Sequence, residues 1–166
     1  MSRISLADLV TPERVMPRLQ AARKRHVVQA LARLAGDETG LDDNHISDTV
    51  LARGDLTSFG IGRGVAIPHA TMPALAQPYG VFARLETPVN FGAVDGRPAD
   101  LVLLILAPEG KDTMLLRALS PAARRLRDRE VTEKLRGATS AEALYIVLTS
   151  DAWRGREVAA DWKRAA

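Results

Sequence analysis

Cysteine is absent from this 166-residue sequence, and aromatic residues are scarce. Without cysteine the chain can form neither a disulfide framework nor a thiolate metal site, and it has no cysteine nucleophile. A protein without cysteine fits the cytoplasm, which is the location we expect. The three phenylalanines, two tyrosines and two tryptophans offer few rings on which nucleic-acid bases could stack, so we expect no nucleic-acid partner.

Long hydrophobic runs are lacking as well. No segment has the apolar length that a membrane span requires, and residues 1–5 lack the hydrophobic core of a secretory signal. The apolar fraction of 46% and the charged fraction of 26% are those of an ordinary globular protein. A chain of this length can bury one good core, so we predict a single domain over residues 1–150. Residues 151–166 are predicted to be a C-terminal tail that either packs as a helix or serves as a contact site.

Hydrophobic periodicity predicts alternating helices and strands. The predicted helices cover residues 22–36, 42–54, 115–126, 130–137 and 139–148, and the predicted strands cover 15–17, 65–67, 79–85, 89–91 and 101–107. The Thr87–Pro88 pair should interrupt the chain between two strands, and Pro121 should kink its helix or start a new one. Thr139 and Glu142 form a predicted capping box. The continuous apolar run from Leu101 to Ala107 is typical of an interior strand with helices on both sides of the sheet.

The most informative stretch of the sequence runs from Ser58 to Ala70. Three glycines at alternate positions, Gly60, Gly62 and Gly64, supply unusual backbone freedom. A short apolar strand follows them, and Pro68 is expected to end that strand. Proline stiffens the backbone on both sides of itself, so His69 should be presented from the end of a strand on a rigid backbone.

Most chemistries that glycine-rich segments support are excluded by spacing. The glycines lack the two-residue gap of the dinucleotide pattern, no P-loop lysine follows them, and no nucleophile-elbow sequence is present. No histidines are paired at zinc-binding spacing, so we expect no metal and no cofactor. The remaining candidate is His69 as a nucleophile, because a neutral imidazole with a pKa near ~6.5 can accept a phosphoryl group.

A phosphorylated His69 would need groups that compensate the added negative charge. Arg53, the Ser58 hydroxyl and the amides of Gly60, Gly62 and Gly64 are the available supply. Arg53 also has a simpler explanation, since a cation at a helix C-terminus is stabilised by the helix dipole. Position alone leaves both explanations of Arg53 open.

Four segments of the chain together resemble the IIA proteins of the bacterial phosphotransferase system. The resemblance lies in Leu51–Arg53, Ser58–His69, Arg84–Val89 and Ala107–Gly110. It extends over roughly residues 5–150 in continuous order and is closest to the nitrogen-related regulatory branch, rather than to the mannitol or fructose transport branch. The pattern Gly-Ile-Gly-x-Gly-x-Ala-Ile-Pro-His is its most specific part.

This resemblance implies a three-layer α/β/α domain with a central mixed sheet of four to five strands. It also implies that His69 takes a phosphoryl group from a small HPr-like phosphocarrier protein, with Arg53 near the phosphate. Regulatory members of the family bind other proteins according to their phosphorylation state. The partners expected on this basis include potassium-transport regulators and stress-nucleotide enzymes.

The chain departs from the family pattern where polar support for the phosphate is expected. Leu115 stands at the position of a second active-site histidine, Phe59 replaces a threonine, and Gly54 replaces a glutamate after Arg53. Loss of one charge-assisted hydrogen bond from the second histidine would weaken phosphate stabilisation by about 1.5–3 kcal/mol. Two main hypotheses follow: a phosphoryl-accepting regulator, or a degenerate IIA-like module that binds a partner without efficient transfer. A fructose- or mannitol-type transport subunit is a third.

Overall fold

The computed structural model describes residues 4–110 and 112–150, so the predicted C-terminal tail lies outside the described residues. Within this part of the chain, helices and strands alternate around one sheet. The helices are α1 (Leu6–Leu9), α2 (Lys24–Thr39), α3 (Asp43–Gly54), α4 (Asp112–Arg127), α5 (Arg129–Gly137) and α6 (Ala141–Thr149). The strands are β1 (Val15–Leu19), β2 (Gly60–Gly62), β3 (Val65–Ala66), β4 (His69–Met72), β5 (Tyr79–Val89) and β6 (Ala99–Pro108).

The strands form one mixed sheet in the order β1-β5-β6-β3-β2, with β4 also paired to β6. β5 runs antiparallel to β6, whereas β3 and β4 both run parallel to it, one after the other along its length. The sheet therefore has six strands rather than the four to five expected. The count differs because β2 and β4 are strands that the sequence did not predict, whereas the predicted strands over 79–85 and 89–91 form the single strand β5.

Two hydrophobic cores lie on opposite faces of the sheet, which confirms the three-layer α/β/α architecture. Alternate residues of β6 point to opposite sides, as strand geometry requires. Val102, Leu104 and Leu106 pack towards α2 and α3. Leu101, Leu103 and Ile105 pack towards α1, α4, α5 and α6. No helix among the described residues is long and apolar enough to cross a membrane.

Three predicted boundaries in the first part of the chain require correction. α2 does not stop at Gly36 but continues to Thr39, and Gly40 ends it with a left-handed φ of 78°. β5 is not interrupted at Thr87–Pro88. Its register shifts between Arg84 and Val89, and residues 86–88 within that shift are exposed. A proline is tolerated where the ladder of hydrogen bonds is already irregular. The segment 71–78, predicted as a loop, begins with the end of β4.

Two further corrections concern the helices after the sheet. α4 continues through Pro121 as one helix, so no new helix begins there. The N-cap of α6 is Ser140, whose hydroxyl accepts a hydrogen bond from the Ala143 amide at 3.1 Å. The predicted capping box of Thr139 and Glu142 was therefore wrong by one residue. Asp42 is the N-cap of α3, and its carboxylate accepts a hydrogen bond from the Asn44 amide at 3.2 Å.

A tight hairpin joins β2 to β3 and is fastened to α5. Its turn consists of Arg63 and Gly64, with φ values of 56° and 80°. Positive φ at both central residues is the hairpin turn that matches strand twist. The single N–H on Nε of Arg136, in α5, is shared between the two carboxylate oxygens of Asp100. Nη2 of Arg136 donates to Asp100 as well, and also to the Arg63 carbonyl at 2.7 Å. The turn therefore depends on an ion pair between α5 and β6.

We expect Gly64→Ala to destabilise the protein more than Gly96→Ala. Both glycines have left-handed φ, at 80° and 72°, so both variants carry the same backbone strain of about 1–2 kcal/mol. A methyl group on Gly64 would also lie 2.5 Å from Nη2 of Arg136, whereas nothing lies within 4 Å at Gly96. Urea unfolding should show at least about 1 kcal/mol of additional loss for Gly64→Ala. Equal losses of unfolding free energy in the two variants would mean that Arg136 can move away from the methyl group without destabilising the protein.

Candidate functional site

The sequence suggested that His69 follows the end of a strand. In the structure, His69 is instead the first residue of β4. β3 and β4 are separated by Ile67 and Pro68, and both pair with β6. Pro68 has no N–H to give to the sheet, but its carbonyl accepts a hydrogen bond from the Ile105 amide at 2.9 Å. The backbone before His69 is therefore stiff and tied to the central strand, although it is not regular sheet.

The half-buried imidazole of His69 is oriented by a backbone carbonyl. Its Nδ1 lies 2.8 Å from the carbonyl oxygen of Ile67, two residues earlier. A carbonyl can only accept a hydrogen bond, so Nδ1 carries the proton and donates it. In the neutral ring, Nε2 then holds the lone pair. The geometry thus leaves Nε2 as the one ring nitrogen that could act as a nucleophile.

Phe59 lies directly beside the candidate nucleophile. The two ring centroids are 5.1 Å apart, and the ring planes meet at 67° in an edge-to-face contact. Phe59 is 2% exposed and belongs to the core between the sheet and α2–α3. Its carbonyl accepts a hydrogen bond from the Ile67 amide at 2.8 Å. An apolar ring thus covers part of the imidazole that water would otherwise reach.

The surroundings of His69 favour its neutral form. Burial is the main cause and lowers the pKa of His69, because a buried imidazolium loses hydration. The hydrogen bond to Ile67 raises the pKa, and the positive charge of Arg53 lowers it further; the net effect is a lowered pKa. A larger fraction of His69 therefore has a free lone pair near neutral pH than an exposed histidine would have.

Arg53 is the cation that the structure brings to His69. It lies in the last turn of α3, its side chain is exposed, and its charge acts on the imidazole. Its position agrees with the predicted one. An exposed guanidinium near a nucleophilic nitrogen can approach a phosphate bound there, since it carries several donors in a planar fork.

Ser58 and Gly60 are engaged with the loop between β5 and β6. The Ser58 hydroxyl donates to the Gly92 carbonyl at 2.7 Å and accepts from the Gly60 amide at 3.3 Å. A methyl group on Gly60 would lie 2.7 Å from Cβ of Ala93, so the glycine allows this loop to approach closely. Both residues precede β3 and adjoin Phe59, where they hold the loop against the site.

Gly62 and Gly64 lie at the other end of the hairpin. Val65, the neighbour of Gly64, pairs with Leu101, whereas His69 pairs with Ile105. Four residues along β6 correspond to about 13 Å. The amide of Arg63, between the two glycines, donates to the Asp95 carboxylate at 2.8 Å. The structure therefore gives Gly62 and Gly64 a role in the turn and does not bring them to His69.

Leu115, at the position of the family's second histidine, is part of the hydrophobic core. It is 6% exposed and packs between the sheet and α4–α6 with residues that include Ile67 and Ile105. A leucine has no hydrogen-bond donor, so this position offers a phosphate nothing. Across residues 4–110 and 112–150, no three metal-ligating side chains converge on a common point.

Two features of the site go beyond what the sequence predicts. The Ile67 carbonyl selects the imidazole nitrogen, but a backbone acceptor leaves no trace in side-chain identity. Gly54 contacts the Phe59 ring, since a methyl group on Gly54 would lie 2.7 Å from Cε2 of that ring. The available signal was that Gly54 and Phe59 both depart from the family pattern, and the two departures turn out to be neighbours in space.

The fold and the arrangement of the site define a IIA-type phosphotransferase protein. The family described as "Phosphoenolpyruvate-dependent sugar phosphotransferase system, EIIA 2" matches residues 8–151. The chain belongs to this family, and its relatives place it in the nitrogen-regulatory branch.

Known proteins support this placement at two levels. The nitrogen regulatory protein of Bradyrhizobium diazoefficiens is 43% identical over 143 residues, which cover 86% of this chain and 94% of that protein. The crystal structure of the nitrogen regulatory protein IIA-Ntr from Neisseria meningitidis is similar with a TM-score of 0.81 at 29% identity, covering 87% of this chain and 99% of that one. IIA mannitol from Escherichia coli, at 23% identity, shares the fold with a TM-score of 0.68. The match covers 84% of this chain and 99% of that one.

We expect His69 to titrate below the same residue in the unfolded chain. Burial lowers its folded-state pKa, so the unfolded chain binds more protons between the two pKa values. Stability should therefore rise as the pH rises through this interval and be lost as the pH falls through it. NMR titration of the His69 ring in folded and urea-unfolded protein measures both values. His69→Gln should lack this part of the pH dependence, and a folded pKa at or above the unfolded one would contradict the burial argument.

Proposed function

We propose that His69 accepts a phosphoryl group on Nε2 from a small HPr-like phosphocarrier protein. The observation that carries this proposal is the 2.8 Å hydrogen bond from Nδ1 to the Ile67 carbonyl, because it leaves Nε2 as the nitrogen with a lone pair. The lowered pKa of His69 supports it, since the neutral ring is the reactive form. The protein is then an enzyme in the limited sense of a phosphotransferase component.

The transfer requires no proton to leave the His69 ring. The Nε2 lone pair forms a bond to phosphorus while the bond between phosphorus and the carrier breaks. The electron pair of the broken bond stays with the carrier. The imidazole acquires positive charge as this bond forms, and the Nδ1 proton stays in its hydrogen bond to Ile67. A polarised carbonyl oxygen beside that proton stabilises the developing charge.

Arg53 is the residue that we assign to stabilise the bound phosphate. Its guanidinium is exposed and close enough for its charge to act on His69. We assign Ser58 and Gly60 a role in shaping the loop beside the site, because their polar groups already pair with each other and with Gly92. Gly62 and Gly64 serve the hairpin turn rather than the phosphate.

Phosphorylation of His69 would add a dianionic group to a surface that also exposes apolar side chains. Leu56, just after α3, is 89% exposed, and Val94, in the loop that Ser58 and Gly60 contact, is 102% exposed. A partner that covers both these side chains and His69 would meet a new negative charge. We propose that the protein regulates cytoplasmic partners in this way, with potassium-transport regulators and stress-nucleotide enzymes as the classes that the family resemblance implies.

We expect the wild-type protein to become labelled when it is incubated with the general phosphotransferase components and labelled phosphoenolpyruvate. His69→Ala should remain unlabelled, because the other histidines, His26 and His45, are exposed residues on α2 and α3 rather than oriented nucleophiles. Circular dichroism of the variant controls for folding. Unlabelled wild type, or equal labelling of His69→Ala, would defeat the proposal.

We expect Arg53→Ala to slow labelling while leaving the fold intact. The loss of one charge-assisted interaction, about 1.5–3 kcal/mol, corresponds to a rate reduction of roughly 10- to 150-fold if it is made fully in the transition state. The matched control is Arg129→Ala, since Arg129 is also an exposed helical arginine but pairs with Glu133 on α5. If Arg53→Ala reacts as fast as Arg129→Ala, Arg53 is only a helix-terminal cation.

One observation favours a second function, a partner-binding module with little or no transfer. The position of the second histidine is a buried leucine, and Phe59 adds an apolar ring on the other side of the site. A pull-down that compares wild type, His69→Ala and His69→Glu separates the two functions. Capture that differs between His69→Ala and His69→Glu supports phosphorylation-dependent regulation, whereas equal capture by all three supports the module.

A further inference from the structure

The ring of Phe59 lies between the backbone of Gly54 and the imidazole of His69. On the His69 side, the edge-to-face contact brings the ring centroids to 5.1 Å. On the Gly54 side, a methyl group placed on the glycine would lie 2.7 Å from Cε2, 3.3 Å from Cδ2 and 3.5 Å from Cζ of the Phe59 ring. Real carbon atoms do not approach as closely as the first of these distances. The ring therefore occupies the space that any side chain at position 54 would need.

Backbone geometry gives no reason for a glycine at position 54. Gly54 is the last residue of α3 and is absent from the glycines with positive φ. The contact with Phe59 explains the choice, because only glycine leaves the ring its present place against the helix.

Phe59 is also connected to His69 through the backbone. Its carbonyl accepts from the Ile67 amide at 2.8 Å, and the Ile67 carbonyl accepts from Nδ1 of His69 at 2.8 Å. The same residue thus contacts the imidazole with its ring and supports the acceptor that orients the imidazole. Movement of Phe59 would affect both the hydrogen bond and the ring contact.

We propose that Phe59 is a positioning residue for His69, and that Gly54 and Phe59 form a matched pair that holds the imidazole with Nδ1 on Ile67 and Nε2 available. The consequence for phosphoryl transfer rests on the proposed function, but the positioning itself does not. Gly54 fixes the ring from the helix side, the ring limits rotation of the imidazole, and the Ile67 carbonyl receives Nδ1. The polar residue that the family pattern would place at position 59 is replaced by an apolar support.

Phe59→Leu tests the positioning directly. Leucine keeps an apolar side chain in the core but removes the ring atoms that contact His69. Nitrogen chemical shifts of the His69 imidazole should show a larger population of the other tautomer or of exchanging forms, and the His69 pKa should rise because water reaches the ring. Arg53, whose charge acts on His69, is retained in every variant, so its contribution stays constant.

Phe82→Leu is the matched control. Phe82 is fully buried in β5 on the opposite face of the sheet, in the core that contains α4–α6. Phe82→Leu should reduce stability about as much as Phe59→Leu does, but it should leave the His69 tautomer and pKa unchanged. If both variants change His69 alike, or if neither does, Phe59 is an ordinary core residue and the proposal is overturned.

A double-mutant cycle tests the pairing of Gly54 with Phe59. Gly54→Ala alone should displace the Phe59 ring, disturb the His69 tautomer and slow phosphoryl transfer about tenfold or more, because small displacements at a reacting group are costly. In the Phe59→Leu background, the same Gly54→Ala change should have little further effect. Additive effects on the His69 tautomer would overturn the pairing.

The measurements separate this proposal from the proposed function. If His69 accepts no phosphoryl group, the tautomer and pKa measurements still report whether Phe59 positions it. If His69 is phosphorylated but Phe59→Leu leaves its tautomer and pKa unchanged, the proposed function stands and the positioning role fails.

Discussion

The site depends on the hydrogen bond from Nδ1 of His69 to the carbonyl of Ile67. This bond is available because Ile67 and Pro68 lie between β3 and β4, where the regular pairing with β6 is interrupted. The Ile67 carbonyl can therefore turn towards the ring two residues later. The remainder of the domain keeps this interruption in place. β6, buried between two helical layers except at Asp100, pairs with the backbone on both sides of the break.

Polar support for a phosphate is concentrated on one side of His69. Arg53 supplies positive charge from the end of α3, while Phe59 and the buried Leu115 are apolar where the family pattern has polar residues. The apolar environment lowers the pKa of His69 and keeps the ring neutral, which favours nucleophilic attack. It offers little to the phosphorylated product beyond Arg53. For the phosphoryl transfer that we propose, this balance favours a His69 that accepts the group readily and also gives it up readily.

The sequence predicted most of the fold because the fold depends on local patterns. The apolar run of β6 and the periodic residues of α2 and α4 identified the layers, and the motif ending in Pro68–His69 is the basis for proposing His69 as the acceptor. It failed where tertiary contacts decide. Gly62 and Gly64 resemble an anion-binding loop in sequence, but Asp95, Asp100 and Arg136 make them part of a hairpin turn. The Gly54–Phe59 contact joins residues whose distance no pattern encodes.

The most direct test of this account is to identify the nitrogen that carries phosphorus. The protein would be labelled with ¹⁵N in its histidine rings, phosphorylated with the general phosphotransferase components, and studied by long-range ¹H–¹⁵N and ³¹P NMR. We expect a single phosphohistidine, at Nε2 of His69, with Nδ1 still protonated and bound to Ile67. Phosphorus on Nδ1, or on another residue, would contradict it.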